Sequence, residues 1–299
     1  MINYQKPIIA IAGLTASGKS SLSLKLAKDF NGYIINADSR QIYKELKIGT
    51  AQPKLDKIKN NIWYTNNIRH FLYGQVSIKD NYNLFRYQQD VQRILDKEEG
   101  LPILVGGTGL YIDSIIYNYD LQPLNKRNTD FSRKKLEKMD IEQLQSLIEP
   151  AILDSLNNSD RNNPIRLIRT IERRNINYRK GLPTKHLYLF LDIEIKELED
   201  KIKKRIKAMF KDGLLKENKR LIKKGYNYEI PAMQSIGYQE FEEYFKNNKS
   251  LKEVESDIIL HTLQYAKRQR TWFRKNKEIR KIKNYKQAYC EISNFLSIS

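Results

Sequence analysis

The stretch Gly13-Leu14-Thr15-Ala16-Ser17-Gly18-Lys19-Ser20 matches a complete G-x-x-x-x-G-K-S phosphate loop. An apolar run over 8–12 precedes it, and an amphipathic helical pattern that includes Leu22 and Leu26 follows it. In this strand–loop–helix context the backbone N–H groups of the loop converge on phosphate oxygens, and the lysine adds a point charge. The serine hydroxyl can ligate Mg²⁺ or a phosphate oxygen. The sequence therefore predicts a polyphosphate or diphosphate site at 13–20, without deciding which ligand binds there.

Three further short apolar runs end in polar or glycine residues. They are 33–37, which ends at Asp38, 101–105, which ends at Gly106-Gly107-Thr108-Gly109, and 187–191, which ends at Asp192. Helical stretches such as 83–97 separate these runs. The pattern predicts an α/β fold, with a P-loop NTPase-like parallel sheet and flanking helices. Because such sheets bind ligands at the carboxyl ends of their strands, Asp38, Thr108 and the phosphate loop should share one cleft.

The strand spacing stops between 120 and 182, where only helical patterns appear. They cover 133–148 and 163–173 and are bordered by polar turn clusters at 118–128 and 157–164. We therefore predict a helical insertion domain over 120–182 and a core domain formed by 1–119 and 183–299. The C-terminal part of the core carries a helical pattern over 196–211 and a long basic one over 254–275.

The chain is strongly basic. Its 299 residues carry 54 Lys and Arg against 35 Asp and Glu, a formal net charge of +19. Part of this excess reflects a chain rich in Lys, Asn, Ile and Tyr throughout. The charge is nevertheless dense around 166–185 and 267–283, where arginines and aromatic residues are interleaved. This pattern favours a nucleic-acid partner over a small metabolite alone.

The cysteine content and the hydropathy pattern limit the cellular compartments in which we expect the protein. The single cysteine, Cys290, excludes a disulfide framework and a cysteine-based zinc site, and it fits a reducing cytosol. Residues 1–7 lack the shape of a signal peptide, and no apolar run approaches the ~20 residues of a membrane span. We expect a cytoplasmic protein with no membrane partner.

Two aspartates that follow predicted strands could carry chemistry. Asp38 could hold Mg²⁺, accept a proton from a nucleophile aimed at the phosphate-bearing substrate, or cap the following turn. Asp192 could be the metal-ligating aspartate that many phosphate-loop enzymes carry after a strand. An aspartate before the helical pattern that follows it is more often a helix cap. The residues alone leave these alternatives open.

Six motifs occur in one order between residues 8 and 274. They are the phosphate loop 13–20; Asp38-Ser39-Arg40-Gln41-Ile42-Tyr43 with Ile48-Gly49-Thr50-Ala51-Gln52-Pro53; Gly106-Gly107-Thr108-Gly109-Leu110-Tyr111-Ile112; Asn163-Pro164-Ile165-Arg166-Leu167-Ile168-Arg169; Ser235-Ile236-Gly237-Tyr238; and Ala266-Lys267-Arg268-Gln269-Arg270-Thr271-Trp272-Phe273-Arg274. Together they resemble the motifs of the tRNA dimethylallyltransferases, also called tRNA isopentenyltransferases. A set of six ordered motifs is far more specific than the phosphate loop alone.

The resemblance implies transfer of a dimethylallyl group from dimethylallyl diphosphate to N6 of adenosine 37, beside the tRNA anticodon. It implies that Asp38 accepts the proton of the amine, Thr108 orients the amine, and Lys19 stabilises the departing diphosphate. Loop residues Gly13, Leu14, Thr15, Ala16, Ser17, Gly18, Lys19 and Ser20 would bind the diphosphate, with Ser20 contacting Mg²⁺. The implied tRNA contacts are Asp38, Ser39, Arg40, Gln41, Thr108, Pro164, Ile165, Arg166, Leu167, Ile168, Arg169, Lys267, Arg268 and Gln269. The default oligomeric state is a monomer.

The chain departs from the family pattern in three places. Leu14 stands where the family usually has proline, which the loop should tolerate because it works through backbone groups. Gln52 replaces a lysine and removes one charge. The family's His-His-Leu-Ile-Asp stretch is degraded to Arg69-His70-Phe71-Leu72-Tyr73, so we expect His70 to be a buried structural histidine. Trp272 and Phe273 are expected in the core.

Two other functions use the same loop. A nucleoside or small-molecule kinase would explain the loop but not the basic helices. Such a kinase would carry an arginine-rich lid, for which 163–174 could be mistaken. An RNA-binding ATPase-like or GTPase-like switch ranks last, because the chain has no guanine-specificity motif of the Asn-Lys-x-Asp kind.

Overall fold

The computed structural model describes residues 1–59, 62–121, 133–173 and 179–298. The chain divides into two compact units, one formed by Met1–Asn118 with Leu182–Ser299 and the other by Tyr119–Gly181. The first unit contains the large sheet and the second is mostly helical. The turn cluster predicted over 118–128 lies mostly outside the described residues.

The described residues form strands and helices throughout both units. The strands are β1 (Ile8–Gly13), β2 (Gly32–Asn36), β3 (Lys57–Lys59), β4 (Ile62–Thr65), β5 (Ile68–Phe71), β6 (Leu101–Gly106), β7 (Tyr119–Asp120), β8 (Arg179–Lys180), β9 (His186–Leu191) and β10 (Arg280–Ile282). The helices are α1 (Lys19–Asp29), α2 (Leu84–Lys97), α3 (Gly109–Ile116), α4 (Arg133–Leu136), α5 (Ile141–Ser146), α6 (Pro150–Ser155), α7 (Asn158–Arg161), α8 (Pro164–Arg173), α9 (Ile195–Lys211), α10 (Leu214–Lys223), α11 (Glu242–Phe245), α12 (Leu251–Arg274) and α13 (Tyr285–Ser297). Among these described helices, none combines the length and the apolar character needed to cross a bilayer.

The first unit is organised around one sheet, with strand order β10-β9-β1-β6-β2-β5-β4-β3. Neighbouring strands from β10 to β5 are parallel, and β4 and β3 extend that edge as antiparallel strands. The four apolar runs predicted as strands form the centre, where Ile9 lies opposite both Ile103 and Leu187. Every residue of β1 is buried, as expected for a parallel strand covered on both faces. The predicted α/β sheet is confirmed.

The core on one face of the sheet joins β1, β6 and β9 to α1 and α13. Leu22 and Leu26 of α1 and Ile292 of α13 pack with Ile9 and Leu189. The helical pattern predicted after the phosphate loop thus has a direct role, since its apolar stripe fixes α1 against the strand that precedes the loop.

The sheet edges were not predicted from the sequence. β3 is only three residues long and fully exposed, and β10 buries Ile282 alone of its three residues. Strands this short lack the alternating or continuous apolar pattern by which strands are recognised.

The second unit has its own small core. Leu167 and Ile168 of α8 pack there with Leu136, Leu144 and Ile148. The single helical pattern predicted over 133–148 is wrong in one respect, because the segment divides into α4 and α5. The break occurs at a capping box: the side chain of Asp140 accepts the N–H of Gln143, and the side chain of Gln143 accepts the N–H of Asp140.

His70 lies in the interior on β5, with 3% of its surface exposed. Its ring packs edge-on against Tyr73, with 5.6 Å between ring centroids. Neither ring nitrogen has a hydrogen-bond partner among the described residues. Burial lowers the pKa of His70 from 6.5 to about 4, and the charge of Asp56 opposes that shift. The expected buried histidine is therefore present, and it is held in its neutral form.

We predict that the free energy of unfolding decreases as the pH falls from about 6.5 to about 4. Over that window the unfolded chain binds a proton on His70 that the folded chain does not bind, a difference of about 3 kcal/mol at its full extent. Urea unfolding near pH 7 and near pH 4.5 measures it. His70→Phe should reduce the loss of stability on acidification by about 2–3 kcal/mol. An identical loss in the variant would contradict this role of His70.

Candidate active site

Residues 13–20 connect β1 to α1 and leave several donors open. Gly18 is the N-cap of α1, with φ of 95°, and provides no side-chain cap for the first helical turn. Ser17 is buried, and its hydroxyl has no hydrogen-bond partner among the described residues. The unpaired N–H groups of the first turn and the positive end of the helix dipole favour an anion with several oxygens. The loop therefore fits a phosphate ligand.

Two cations reach the phosphate loop. Lys19 donates from Nζ to the carbonyl oxygen of Leu14 at 3.2 Å, and Arg205 of α9 donates from Nη1 to Oγ1 of Thr15 at 3.2 Å. Burial lowers the pKa of Lys19 to about 8; the Asp38 carboxylate opposes that shift and Arg205 adds to it. Burial also lowers the pKa of Arg205, again opposed by Asp38. An anionic ligand bound in this loop would stabilise both charges.

Arg205 was not predicted from the sequence. It lies in a lysine-rich helix, where its neighbours share its charge and obscure it. The buried face of α9 is formed by Leu198, Ile202, Ile206 and Met209. At helical spacing Arg205 is the basic residue closest to that stripe. The position of Arg205 beside the buried stripe of α9 could therefore have distinguished it from the lysines of the same helix.

Asp38 is positioned by a buried asparagine at the end of β2. The Asn36 side chain accepts the Asp38 N–H at 2.9 Å and donates to the carbonyl oxygens of Asp38 and Leu72 at 3.0 and 2.8 Å. Oδ1 of Asp38 accepts the N–H of Arg40 at 3.0 Å, which forms an Asx turn. Oδ2 has no hydrogen-bond partner among the described residues. Asp38 therefore stabilises the following turn, which was one of the alternatives for it. Its second carboxylate oxygen is still available to accept a proton or to bind a ligand.

Thr108 is held next to this segment. Its Oγ1 accepts the Ser39 N–H at 3.1 Å, and its own N–H donates to the carbonyl oxygen of Ala37 at 3.2 Å. A Cβ at Gly106 would lie 2.0 Å from that same carbonyl oxygen, so only glycine permits the approach. The structure brings the phosphate loop, Asp38 and Thr108 together at the carboxyl ends of neighbouring strands.

Gln269 of α12 bridges two of these loops. Its Oε1 accepts the N–H of Thr15 at 2.9 Å, and its Nε2 donates to the carbonyl oxygen of Gly107 at 2.9 Å. The residue is only 4% exposed. A Cβ at Gly107 would lie 2.2 Å from Nε2, so the glycine makes room for the amide. Gln269 was expected to contact tRNA, but its amide is engaged inside the protein.

The neighbours of Gln269 on α12 divide between surface and interior. Lys267 and Arg268 are exposed, and the Arg268 guanidinium lies over the Tyr265 ring at 5.9 Å from its centroid. Burial raises the pKa of Tyr265, and the Asp38 charge adds to this effect. The phenol is therefore protonated at neutral pH. Tyr265 lies just before the motif that begins at Ala266, so the motif did not identify it as a site residue.

The expectation that Trp272 lies in the core is wrong, whereas Phe273 is buried as expected. Trp272 is 43% exposed, and its Nε1 donates to Oδ2 of Asp113 at 2.9 Å. The indole covers Gly109, where a Cβ would lie 2.3 Å from the ring. An aromatic residue at helical spacing looks the same in sequence whether it is buried or covers a loop.

The other residues predicted after Asp38 contact the protein itself. Arg40 donates from Nη1 to the carbonyl oxygen of Pro231 at 3.1 Å. Gln41 donates from Nε2 to the carbonyl oxygens of Thr50 and Ala51 at 2.9 and 3.1 Å. Gln52, which replaces the family's lysine, donates in turn to the carbonyl oxygen of Gln41 at 2.8 Å. The exchange removes a charge but keeps a donor for the loop.

Asp192 does not cap α9, so the helix-cap interpretation is wrong. The N-cap position is Glu194, which makes no side-chain cap. Asp192 forms ion pairs with Arg270 at 3.5 Å and with Lys281 at 3.6 Å. Two cations, and not the N–H groups of a helix, therefore stabilise the Asp192 carboxylate.

The predicted tRNA contacts at 164–169 belong to the second unit, on α8. Leu167 and Ile168 are buried in its core. Pro164, Ile165 and Arg169 are exposed. Arg166 forms an ion pair with Asp160. The side chains that remain available for a partner are therefore those on the outer face of this helix.

The chain is similar to known proteins in both sequence and structure. A family model described as IPP transferase matches residues 41–276. The tRNA dimethylallyltransferases of Crocosphaera subtropica and Synechocystis sp. are each 35% identical, over 91% of this chain and 90% and 89% of their own. The full-length tRNA isopentenylpyrophosphate transferase of Bacillus halodurans superposes with a TM-score of 0.72 at 29% identity, covering 98% of this chain and 96% of that one. A eukaryotic dimethylallyltransferase acting on tRNA gives a TM-score of 0.72 at 26% identity, covering 90% and 70%.

We predict that binding of a diphosphate ester weakens as the pH rises through about 8. Lys19 loses its charge in that range, because burial lowers its pKa. The dissociation constant of 3-methylbutyl diphosphate, which lacks the allylic double bond and therefore does not react, should rise roughly tenfold between about pH 7 and about pH 9. Lys19→Arg is the matched control, since a guanidinium does not titrate there. An equal pH dependence in that variant would contradict the assignment.

We predict that Gln269→Glu weakens binding of the same diphosphate by roughly tenfold or more and leaves tRNA affinity unchanged. The carboxylate removes the donor to Gly107 and places a negative charge beside the phosphate loop. The matched variant is Lys267→Gln, two residues earlier on α12 and exposed. It should weaken tRNA binding and leave the affinity for the diphosphate unchanged. Calorimetry with the diphosphate and filter binding with tRNA separate the two. If Gln269→Glu lost affinity for tRNA and not for the diphosphate, the result would contradict this assignment and would support the predicted contact between Gln269 and tRNA.

Proposed function

Because the chain belongs to the IPP transferase family, we propose that it is a tRNA dimethylallyltransferase that alkylates N6 of adenosine 37. The donor is dimethylallyl diphosphate, and the second product is diphosphate. One observation carries the proposal: the segment that begins at Asp38 is hydrogen-bonded to Thr108, and Gln269 joins the loop before Thr108 to Thr15 of the phosphate loop. Among the described residues, Oδ2 of Asp38 has no hydrogen-bond partner. A proton acceptor and a leaving-group site thus occur together.

The phosphate loop stabilises the leaving group. As the bond between the allylic carbon and the diphosphate oxygen breaks, its electron pair goes to the oxygen. Lys19, Arg205 and the N–H groups at the start of α1 are preorganised to stabilise the negative charge that develops. Their positive charges already exist in a partly buried site, so little reorganisation is needed. The loop that many enzymes use for a nucleoside triphosphate serves here to bind a diphosphate that leaves.

The acceptor amine reacts on the Asp38 side. The exocyclic amine of adenine is a weak nucleophile, because its lone pair is delocalised into the ring. As the bond from N6 to the allylic carbon forms, one N6 proton passes to Oδ2 of Asp38. Thr108 orients the amine through its hydroxyl, which the Ser39 N–H fixes at 3.1 Å. Reaching N6 requires an unstacked base, which is least costly in a single-stranded loop.

We also propose that Mg²⁺ accompanies the diphosphate. Among the described residues, no cluster of three or more His, Cys, Asp or Glu side chains could hold a metal ion alone. The donor set fits an ion bound mainly by the ligand's phosphate oxygens, with the exposed Ser20 hydroxyl as the protein contact. Such an ion would supply additional neutralisation of the leaving group's charge.

We propose a monomer acting in the cytoplasm on tRNA. The residues given a role in the proposed reaction, Lys19, Asp38, Thr108 and Arg205, all belong to the first unit, so the proposed mechanism calls on no second copy. The free, exposed Cys290 fits a reducing compartment.

Mass spectrometry of tRNA nucleosides tests the proposed function. After incubation with tRNA and dimethylallyl diphosphate, adenosine 37 should gain one dimethylallyl group. Incubation with tRNA and ATP should give no phosphorylated nucleoside. Phosphorylated product without the dimethylallyl product would favour the kinase alternative and contradict the proposal.

Asp38→Asn tests the base in the same assay. The amide keeps an acceptor for the Arg40 N–H but cannot take up a proton, so we expect the rate to fall by roughly 10²–10⁴. The affinity for tRNA should stay nearly unchanged. Asp96→Asn, an exposed carboxylate on α2, is the control and should keep full activity. A large loss of tRNA affinity in Asp38→Asn would instead make Asp38 a structural residue.

A further inference from the structure

The second half of α9 and all of α10 carry a dense set of lysines that the proposed function does not use. The two helices are joined by Asp212 and Gly213. We define the basic hairpin by its exposed lysines: Lys204, Lys207, Lys211, Lys216, Lys219, Lys223 and Lys224. Among the described residues, none of these seven side chains forms an ion pair or a hydrogen bond.

The first half of α9 shows that this arrangement is not general to the helix. There, Lys201 pairs with Glu197 at 2.7 Å and Lys203 pairs with Glu199 at 2.7 Å. Pairs at this spacing stabilise a helix, and like charges at the same spacing destabilise it. Lys204, Lys207 and Lys211, in the second half of the helix, form no such ion pair among the described residues.

Acidic residues within the basic hairpin do not neutralise it. Asp212 is exposed, but it stands between two helices that carry six of the seven lysines, and Lys224 directly follows α10. Glu217 is buried, and its carboxylate accepts the N–H of Ile48 at 3.0 Å and the hydroxyl of Tyr238 at 2.6 Å. Its charge is used to hold the loop at 47–49. The outer surface of both helices thus keeps a strong positive potential.

Both helices of the basic hairpin are attached to the site. Arg205, next to Lys204 on α9, reaches Thr15 of the phosphate loop. Glu217 of α10 holds the loop at 47–49, which belongs to the motif that begins at Asp38. A nucleic acid whose reacting base lies at Asp38 must extend its phosphate backbone away from the site. The basic hairpin offers such a backbone exposed positive charges on two helices that contact the site.

We propose that the basic hairpin binds the phosphate backbone of the substrate tRNA outside its anticodon stem–loop. This inference rests on the proposed function, because it takes the substrate to be a folded tRNA. Lysines suit such a role, since backbone contacts need point charges and no base recognition. Residues 204, 207 and 211 repeat at helical spacing and present three charges along one line of α9.

The test compares two RNAs and three triple variants by filter binding over a range of salt concentrations. The RNAs are the full-length tRNA and its isolated anticodon stem–loop. The α9 variant is Lys204→Gln, Lys207→Gln, Lys211→Gln; the α10 variant is Lys216→Gln, Lys219→Gln, Lys223→Gln. The control, Lys25→Gln, Lys28→Gln, Lys286→Gln, removes the same charge from exposed positions on α1 and α13.

We expect both hairpin variants to bind full-length tRNA roughly tenfold more weakly, with a salt slope lower by about two to three. Affinity for the stem–loop should stay unchanged, as should both affinities of the control. Equal losses for the two RNAs, equal losses in the control, or no loss at all would overturn the proposal. Since binding is measured, failure of the transfer reaction itself would be seen separately, in the nucleoside assay.

Discussion

The active site depends on the amide of one side chain. Gln269 accepts the N–H of Thr15 and donates to the carbonyl oxygen of Gly107. Those two groups belong to different loops, the phosphate loop and the loop that leads to Thr108. A buried amide with both ends paired fixes their separation, because breaking either hydrogen bond leaves a polar group unsatisfied in the interior. A residue of α12, outside both loops, therefore fixes the distance between the phosphate loop and the loop that leads to Thr108.

Electrostatics couples the same two halves. Lys19 and Arg205 are cations in a partly buried site, and their burial is only partly offset by Asp38. The Asp38 carboxylate, the proposed proton acceptor, thus also stabilises the two cations that we propose bind the leaving group. In such an arrangement the ligand's charge, the proton acceptor and the two cations cannot be altered independently, since each contributes to the field at the others.

The parts of the candidate site that lie at the ends of strands could be predicted from the sequence. Continuous apolar runs mark strands buried on both faces, so the ends of β1, β2 and β6 could be located, and parallel order brings their loops together. Arg205 and Gln269 could not be assigned in the same way, because their side chains act through the packing of α9 and α12. Trp272 and Asp192 show the same limit: an indole that covers a glycine and a carboxylate paired with two cations have no distinctive local pattern. The edge strands were missed because three residues carry too little periodicity.

The close fit of α12 on the loop after β6 has an evolutionary consequence. Gln269 and Trp272 occupy the space that side chains at Gly107 and Gly109 would need. Neither partner can change alone: a larger residue in the loop would require a smaller one on the helix at the same time. Lineages that diverge here should therefore drift in matched pairs, so that the two glycines and the two helix positions are inherited as a single unit.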